Sequence, residues 1–238
     1  MTAAALGLLG LTASVQAQIL NPSFESPNAS GSPTGVSTVI TSWDKTPQPG
    51  YFDPGVFFLT WDSVAGIFPN APAGDPRHIT NADGNQVAYA FAFPEAGITQ
   101  TLSTSFVAGM SYTLTFGIRG GGSLAEGTQF LAGLQYFDGT DWTNAGATVV
   151  TATANYNTLT ELQPVTVNTG TIAAGSPAVG KPIRVILEGT SFSASSGLAY
   201  WEADNTQLTA VPEPESYAVI AALGLLGGAV WRRSRSSR

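Results

Sequence analysis

Through most of the middle of the chain, apolar and polar positions alternate with a period of two, the pattern of strands whose two faces meet different surroundings. Residues 86–93 place Val87, Tyr89, Phe91 and Phe93 on one face and Ala88, Ala90 and Ala92 on the other. In 111–119, Tyr112, Leu114, Phe116 and Ile118 oppose Thr113, Thr115 and Arg119. Residues 97–103 keep Ile98 and Leu102 in phase, and 129–137 close on Asp138-Gly139, a hairpin-turn dipeptide, with Trp142 just beyond. Further strands are predicted at 158–168, at 182–188 with Ile183, Val185 and Leu187 inward, and at 198–208. Between 97–103 and 111–119, Val107-Ala108-Gly109 reads as a turn, since Gly109 is free to take positive φ.

No segment of this middle region sustains a helical period, and its breaks are clusters of Gly, Pro, Asn and Ser. The pattern predicts an all-β fold, an antiparallel β-sandwich. Residues 27–76 are less regular, with short strands predicted at 36–43 and 55–61. The loops between them are expected to lie over one end or face and to expose Trp43, Tyr51 and Trp61, because loops on a rigid sandwich commonly carry binding.

The two ends follow other patterns. Val211-Pro212-Glu213-Pro214-Glu215 is a proline-broken stretch, predicted to be extended and exposed. Residues 216–231 are almost wholly apolar, and Arg232, Arg233, Arg235 and Arg238 follow. A helix over the apolar run reaches about 24 Å against a hydrocarbon core of about 30 Å, a gap that snorkelling arginines and local thinning cover. Taken alone the run also fits a core helix with a solvated tail. At the other end, residues 3–11 form an apolar core and Val15-Gln16-Ala17 offers a small-residue cleavage site after Ala17, although no Lys or Arg precedes it. The division expected is a signal peptide at 1–17, a sandwich at 18–210 and a separate tail at 211–238.

The tail resembles the PEP-CTERM sorting signal of exported bacterial proteins, through Pro212, Glu213 and Pro214, the short glycine-containing span and the basic end. The resemblance implies a transmembrane helix at 216–231 and an exosortase partner that acts near the Pro-Glu-Pro. It also implies a protein held at the cytoplasmic membrane and then placed at the cell surface or in the extracellular matrix. The arginine tail fits the cytoplasmic side by the positive-inside rule.

Charge narrows the partners. Only 11% of the 238 residues are charged, and cysteine is absent, so neither disulfides nor thiolate chemistry is available. From 18 to 211 five basic residues face fourteen acids, near −9, a surface that repels phosphate backbones and argues against nucleic-acid binding.

Leu20-Asn21-Pro22-Ser23-Phe24-Glu25, the segment 98–116 and Ala203-Asp204-Asn205-Thr206-Gln207-Leu208 resemble the opening, middle and closing strands of galactose-binding-like jelly rolls. Pro22 stands where that family prefers Gly, and Trp201-Glu202 replaces its usual apolar pair. The resemblance implies a structural calcium ion held by Glu25 and Asp204 with backbone oxygens. It also implies glycan contact through exposed rings, for which Trp43, Tyr51 and Trp61 are the candidates.

Catalytic signatures are sparse. His78 is the single histidine and no Gly-x-Ser-x-Gly elbow occurs. Gly120-Gly121-Gly122-Ser123 lacks the lysine and helix of a phosphate loop and reads as a flexible hairpin connection. The expectation is a non-enzymatic protein that associates with exopolysaccharide. Two alternatives stand beside it: a structural surface protein without a specific ligand, and a glycan hydrolase using paired acids from Glu161, Glu188 and Glu202.

Overall fold

The computed structural model describes residues 15–16, 18–31, 35–194 and 198–213. Two antiparallel sheets face each other as a sandwich. The first has strand order β3-β4-β11-β6-β9, with β1 also on β11; the second has order β2-β5-β10-β7-β8. In chain order the strands are β1 (Val15–Gln16), β2 (Asp44–Lys45), β3 (Ala65–Pro69), β4 (Gln86–Phe91), β5 (Gly97–Ser105) and β6 (Met110–Gly122). They continue with β7 (Gln129–Phe137), β8 (Trp142–Thr151), β9 (Gln163–Thr171), β10 (Pro182–Gly189) and β11 (Ala199–Pro212). The long pair β6 and β11 forms the spine of the first sheet, registering Glu202 against Arg119 and Val211 against Ser111.

Alternation decides what each face holds. Tyr112, Leu114, Phe116 and Ile118 of β6, Trp201 and Ala203 of β11, and Ile183, Val185 and Leu187 of β10 are buried in the space between the sheets. On β4 the small residues Ala88 and Ala90 face that core. The large Tyr89 and Phe91 therefore point away from it, on the outer face of the first sheet.

Several expectations are corrected. Residues 55–61 form no strand: Asp53 caps a short helix α1 (Pro54–Phe57), its side chain accepting from the Gly55 amide at 2.8 Å. Asp-Pro-Gly starts a helix because the carboxylate satisfies an orphan amide and proline's fixed φ suits the first turn. The segment 36–43 contributes only isolated bridges, Ser37 to Ile67 and Ile40 to Trp43. Strand β3 was not expected. Nor was β8, an edge strand partly exposed along its length that meets β7 through backbone registry, so its sequence carries no strong apolar alternation. The glycine run 120–122 is the end of β6 rather than a hairpin connection. Likewise β11 runs on through Pro212, and the Glu213 amide donates to Gly109 O at 3.0 Å. The helix expected at 216–231, the sorting-motif residue Pro214 and most of the signal peptide lie outside the described residues.

Candidate functional site

A cavity of about 810 Å³ lies on the outer face of the first sheet. Its floor is a row of outward residues on adjacent strands: Tyr89 of β4, Glu202 of β11 and Arg119 of β6 stand side by side in register. Phe91 and Tyr200 form the next row, opposite Gly121. With Phe68 these rings close a circuit: Phe68 to Tyr89 is 5.9 Å between centroids, Tyr89 to Phe91 5.7 Å, Phe91 to Tyr200 6.4 Å and Tyr200 to Phe68 6.2 Å. Two glycines make this possible. A methyl group at position 121 would sit 2.1 Å from Tyr200 Cε2, and one at position 66 would sit 2.9 Å from the Tyr89 ring. The missing side chains let both phenol rings lie against the sheet.

Two chain segments build the outer wall. One connects β3 to β4 and lines the cavity with Asn70, Pro72 and Arg77; the other, around the 3-10 turn Tyr156–Thr158, contributes Asn157, Thr158 and Leu159. They are bonded to each other. The Thr80 amide donates to Thr160 O at 2.9 Å, and Asn81 exchanges two hydrogen bonds with the backbone of Leu162, at 3.0 and 2.8 Å. At the mouth Arg77 forms a bidentate pair with Asp75, whose carboxyl is held down to about 2 by that guanidinium.

Glu202 is the chemical centre. It is 3% exposed and Arg119 is 6% exposed. Arg119 Nε donates to Glu202 Oε2, Nη1 donates to Leu159 O, and Nη2 donates to Arg77 O at 2.9 Å. Burial raises the Glu202 carboxyl above its ordinary range, and the facing guanidinium opposes that rise without cancelling it. Burial also pushes the Tyr89 hydroxyl to about 12 and raises that of Tyr200, so both are neutral donors at physiological pH. The site thus combines one carboxyl that can hold or release a proton, a cation that stabilises its ionised form, and π-faces around both.

The residues expected to act are distributed differently. Trp43 is 6% exposed and donates its indole N–H to Leu20 O at 3.1 Å; Trp61, 9% exposed, donates to Thr46 O at 2.7 Å. Both are packing residues, not open platforms. Tyr51 is 40% exposed and its hydroxyl donates to Pro94 O. Of the three candidate acids only Glu202 lines the cavity. Glu188 belongs to β10 in the second sheet, where burial and then Glu95 push it up to about 7, and Glu161 accepts from Thr80 in the wall. Missed entirely were Tyr89, Phe91, Arg119 and Tyr200 as a group. Their one sequence signal was the large aromatic face of 86–93, which reads equally well as core.

Glu25 and Asp204 are brought to the same turn. Glu25 Oε1 accepts from the amides of Asn85 and Gln86 at 2.8 and 2.7 Å, while Asp204 accepts from those of Asp83 and Asn205, both at 2.7 Å. Asp204 is fully buried, and burial together with Asp83 and Glu25 outweighs the two amides and raises it to about 7. A buried carboxyl whose charged neighbours are carboxylates fits a cation. Among the described residues, however, no group of three or more His, Cys, Asp or Glu is set to hold a metal ion.

Comparison with known proteins identifies the body. The family model described as HpiC1 cyclase, HpiC1-like, matches residues 15–209, and the chain belongs to that family. A second model, the PEP-CTERM protein-sorting motif, matches residues 210–235. Among solved structures, a cyclase from Fischerella sp. TAU aligns at 20% identity over 84% of this chain and 98% of its own, with a TM-score of 0.61. A Stig cyclase from the same organism, in complex with (3Z)-3-(1-methyl-2-pyrrolidinylidene)-3H-indole, aligns at 20% identity over 84% and 99%, TM-score 0.58. A cyclase in complex with 4-(1H-indol-3-yl)butan-2-one aligns at 20% identity over 83% and 98%, TM-score 0.60. No curated protein matches.

These findings correct the functional expectations. The body is a cyclase-family domain and not a galactose-binding-like lectin domain. Membership of a cyclase family replaces the non-enzymatic matrix protein, its polysaccharide partner and the carbohydrate-binding role. The membrane-anchored surface location and the exosortase partner, expected from the tail's resemblance to the PEP-CTERM sorting signal, are likewise corrected by the enzyme family that the body matches; what stands for the tail is the match of the sorting motif itself to residues 210–235.

Proposed function

We propose that this chain is a cyclase that closes a ring on an indole-bearing apolar substrate, with Glu202 as the group that delivers and recovers the proton. The observation that carries this reading is the single buried carboxyl, paired with Arg119, in the floor of an aromatic cavity of about 810 Å³. That volume lies in the range of small-molecule sites, about 300–1,000 Å³. Family membership supports ring closure as the reaction, and the indole compounds held by the Fischerella cyclases support the substrate class.

The chemistry follows from the groups present. A protonated Glu202 transfers its proton to a substrate double bond, leaving a carbocation and a carboxylate. The carboxylate is stabilised by Arg119 and the carbocation by the faces of Phe68, Tyr89, Phe91 and Tyr200. A second substrate π-bond attacks the cationic carbon, forming the new C–C bond. The resulting cation loses a proton to the Glu202 carboxylate, so product and substrate are isomers and no co-reactant is consumed. The raised Glu202 pKa suits both halves, because a general acid works best when its pKa lies near the working pH.

The test uses the full chain. Calorimetry with 4-(1H-indol-3-yl)butan-2-one should give equal binding for wild type and Glu202→Gln. Mass spectrometry on indoles carrying an alkenyl chain should show an isomeric cyclic product, formed about 10²- to 10⁴-fold more slowly by the variant. Absence of indole binding, or wild-type turnover by Glu202→Gln, would sink the proposal. We also infer a structural calcium ion beside Glu25 and Asp204, with carboxylate oxygens as its ligands and no part in the proton transfer.

A further inference from the structure

A molecule enclosed by aromatic rings needs a partner for each polar atom it buries. The cavity lining contains two side-chain amides, Asn70 and Asn157. Asn70 is consumed at both ends, its Nδ2 donating to Ile79 O and its Oδ1 accepting from the Ile79 amide, each at 2.9 Å. Asn157 is held at one end only. Its Nδ2 donates to Gly122 O at 3.3 Å, which settles which end of the amide is the carbonyl, and its Oδ1 has no donor among the described residues. We propose that Asn157 is a specificity-determining residue of the cavity, whose carbonyl accepts the N–H of the substrate's indole ring and so selects the ring and fixes its orientation.

The fold holds that carbonyl in place before any ligand arrives. Asn157 is the middle residue of the 3-10 turn Tyr156–Thr158, closed by the Tyr156 amide on Thr153 O and the Thr158 amide on Asn155 O, both at 3.0 Å. Tyr156 is buried and meets Trp201 edge-on, with ring centroids 5.7 Å apart. The turn is therefore pinned to the core by the residue that precedes Glu202, and alternation along β11 sends Trp201 inward to hold the turn and Glu202 outward to the cavity floor. Gly120 lets the turn come close, since a methyl group there would lie 2.5 Å from Leu124 Cδ2 and 3.3 Å from the Asn157 backbone nitrogen. An acceptor fixed in this way loses little freedom when a donor reaches it.

The assignment rests on the indole reading given above and adds the group that recognises the ring. Indole presents a broad π-surface with one N–H donor and no acceptor. Aromatic walls alone would favour rings that lack the N–H, because a donor buried without a partner loses its hydrogen bond to water. The neighbouring acceptors are engaged elsewhere. Arg77 O and Leu159 O take Arg119, Glu202 pairs with the same guanidinium, and the Thr158 hydroxyl is turned to Asn155 O. The phenol oxygens of Tyr89 and Tyr200 are weaker acceptors than an amide carbonyl. Orientation follows from the ring itself: the bonds leaving the nitrogen and C3 point in nearly opposite directions, so an N–H held at the Asn157 wall sends the C3 substituent back into the cavity.

The readout is a preference between two rings. Calorimetry on the full chain compares 4-(1H-indol-3-yl)butan-2-one, the compound held by a Fischerella cyclase, with its benzothiophene counterpart, in which sulfur replaces the N–H at nearly the same shape. The wild type should bind the indole about 10-fold more tightly. In Asn157→Ala, and in Asn157→Leu, whose apolar side chain occupies the same place, that preference should vanish. A purely structural role for Asn157 would instead weaken both ligands together and leave their ratio unchanged. Thermal unfolding followed by circular dichroism shows that each variant is folded. Equal binding of the two rings by the wild type, or a preference that survives in either variant, would overturn the assignment and leave the cyclase reading standing. Binding of neither ring by the wild type would overturn both. A preference that depends on Asn157 in a protein that forms no cyclic product would refute cyclisation and support the assignment.

Discussion

Asp204 makes the acid-side stability of this protein calculable. Its carboxyl is raised from 3.8 to about 7, chiefly by burial. The unfolded chain releases that proton near 3.8 and the native chain holds it to about 7. Between those values the native state binds more protons, so stability is greatest below the unfolded pKa, falls as pH rises through the interval, and is flat above it. About three units at about 1.4 kcal/mol each gives a loss of about 4 kcal/mol across the window. Glu188, raised to about 7 by burial and Glu95, adds a slope of the same sign, reduced by its partial exposure to solvent. The assay is urea unfolding at about pH 4.5 and about pH 8 in EDTA, treated as two-state.

Asp204→Asn should flatten its part of that slope. A fixed cost of about 1–3 kcal/mol appears at every pH, because an amide can accept only one of the two backbone N–H groups that the carboxylate accepts. The slope, not the absolute stability, is therefore the readout. Calcium at millimolar concentration should lower the native pKa, abolish the loss at alkaline pH and raise the midpoint in the wild type but not in Asp204→Asn. Wild-type stability that does not fall between the two pH values, or an unchanged slope in Asp204→Asn, would show that the buried carboxyl is not in the environment described. An unchanged midpoint with calcium would remove the ion alone.

Three further outcomes follow from single positions. Gly121→Ala, whose methyl would lie 2.1 Å from Tyr200 Cε2, should cost about 1–3 kcal/mol in urea unfolding and weaken indole binding as the phenol swings into the cavity; unchanged binding would show that Tyr200 does not set the cavity's shape. Phe58 is 89% exposed at φ 55°, so Phe58→Gly should raise stability by about 1 kcal/mol through relief of left-handed strain, and a drop would mean that the ring makes contacts worth more than the strain. Trp61→Ala removes a buried ring that donates to Thr46 O and meets Phe52 edge-on at 4.9 Å, and should cost about 3–5 kcal/mol; a loss under about 1 kcal/mol would return Trp61 to the surface role first expected of it.

The sequence by itself determined the material of this protein. Period-two alternation marked β4, β5, β6, β7, β10 and β11, because strand geometry assigns alternate residues to opposite faces whatever lies beyond them. It also marked Arg119 as the charged member of the polar face of β6. Weak alternation hid β8, whose exposure comes from its place at a sheet edge, and proline hid the last residues of β11, since a strand end can do without the N–H. Tertiary structure decided which face is inside. The aromatic face of 86–93 looks like core when read locally, yet alanines fill the core and the rings face a cavity, because the opposing sheet already supplies Phe130, Leu134, Val185 and Leu187. Only register across β6 and β11 places Arg119 beside Glu202, 83 positions away. The walls that cover the pair come from two segments about as distant from each other. A proton-handling site built from one residue per strand leaves no spacing in the chain, since its geometry is created by strand pairing rather than by neighbours in sequence.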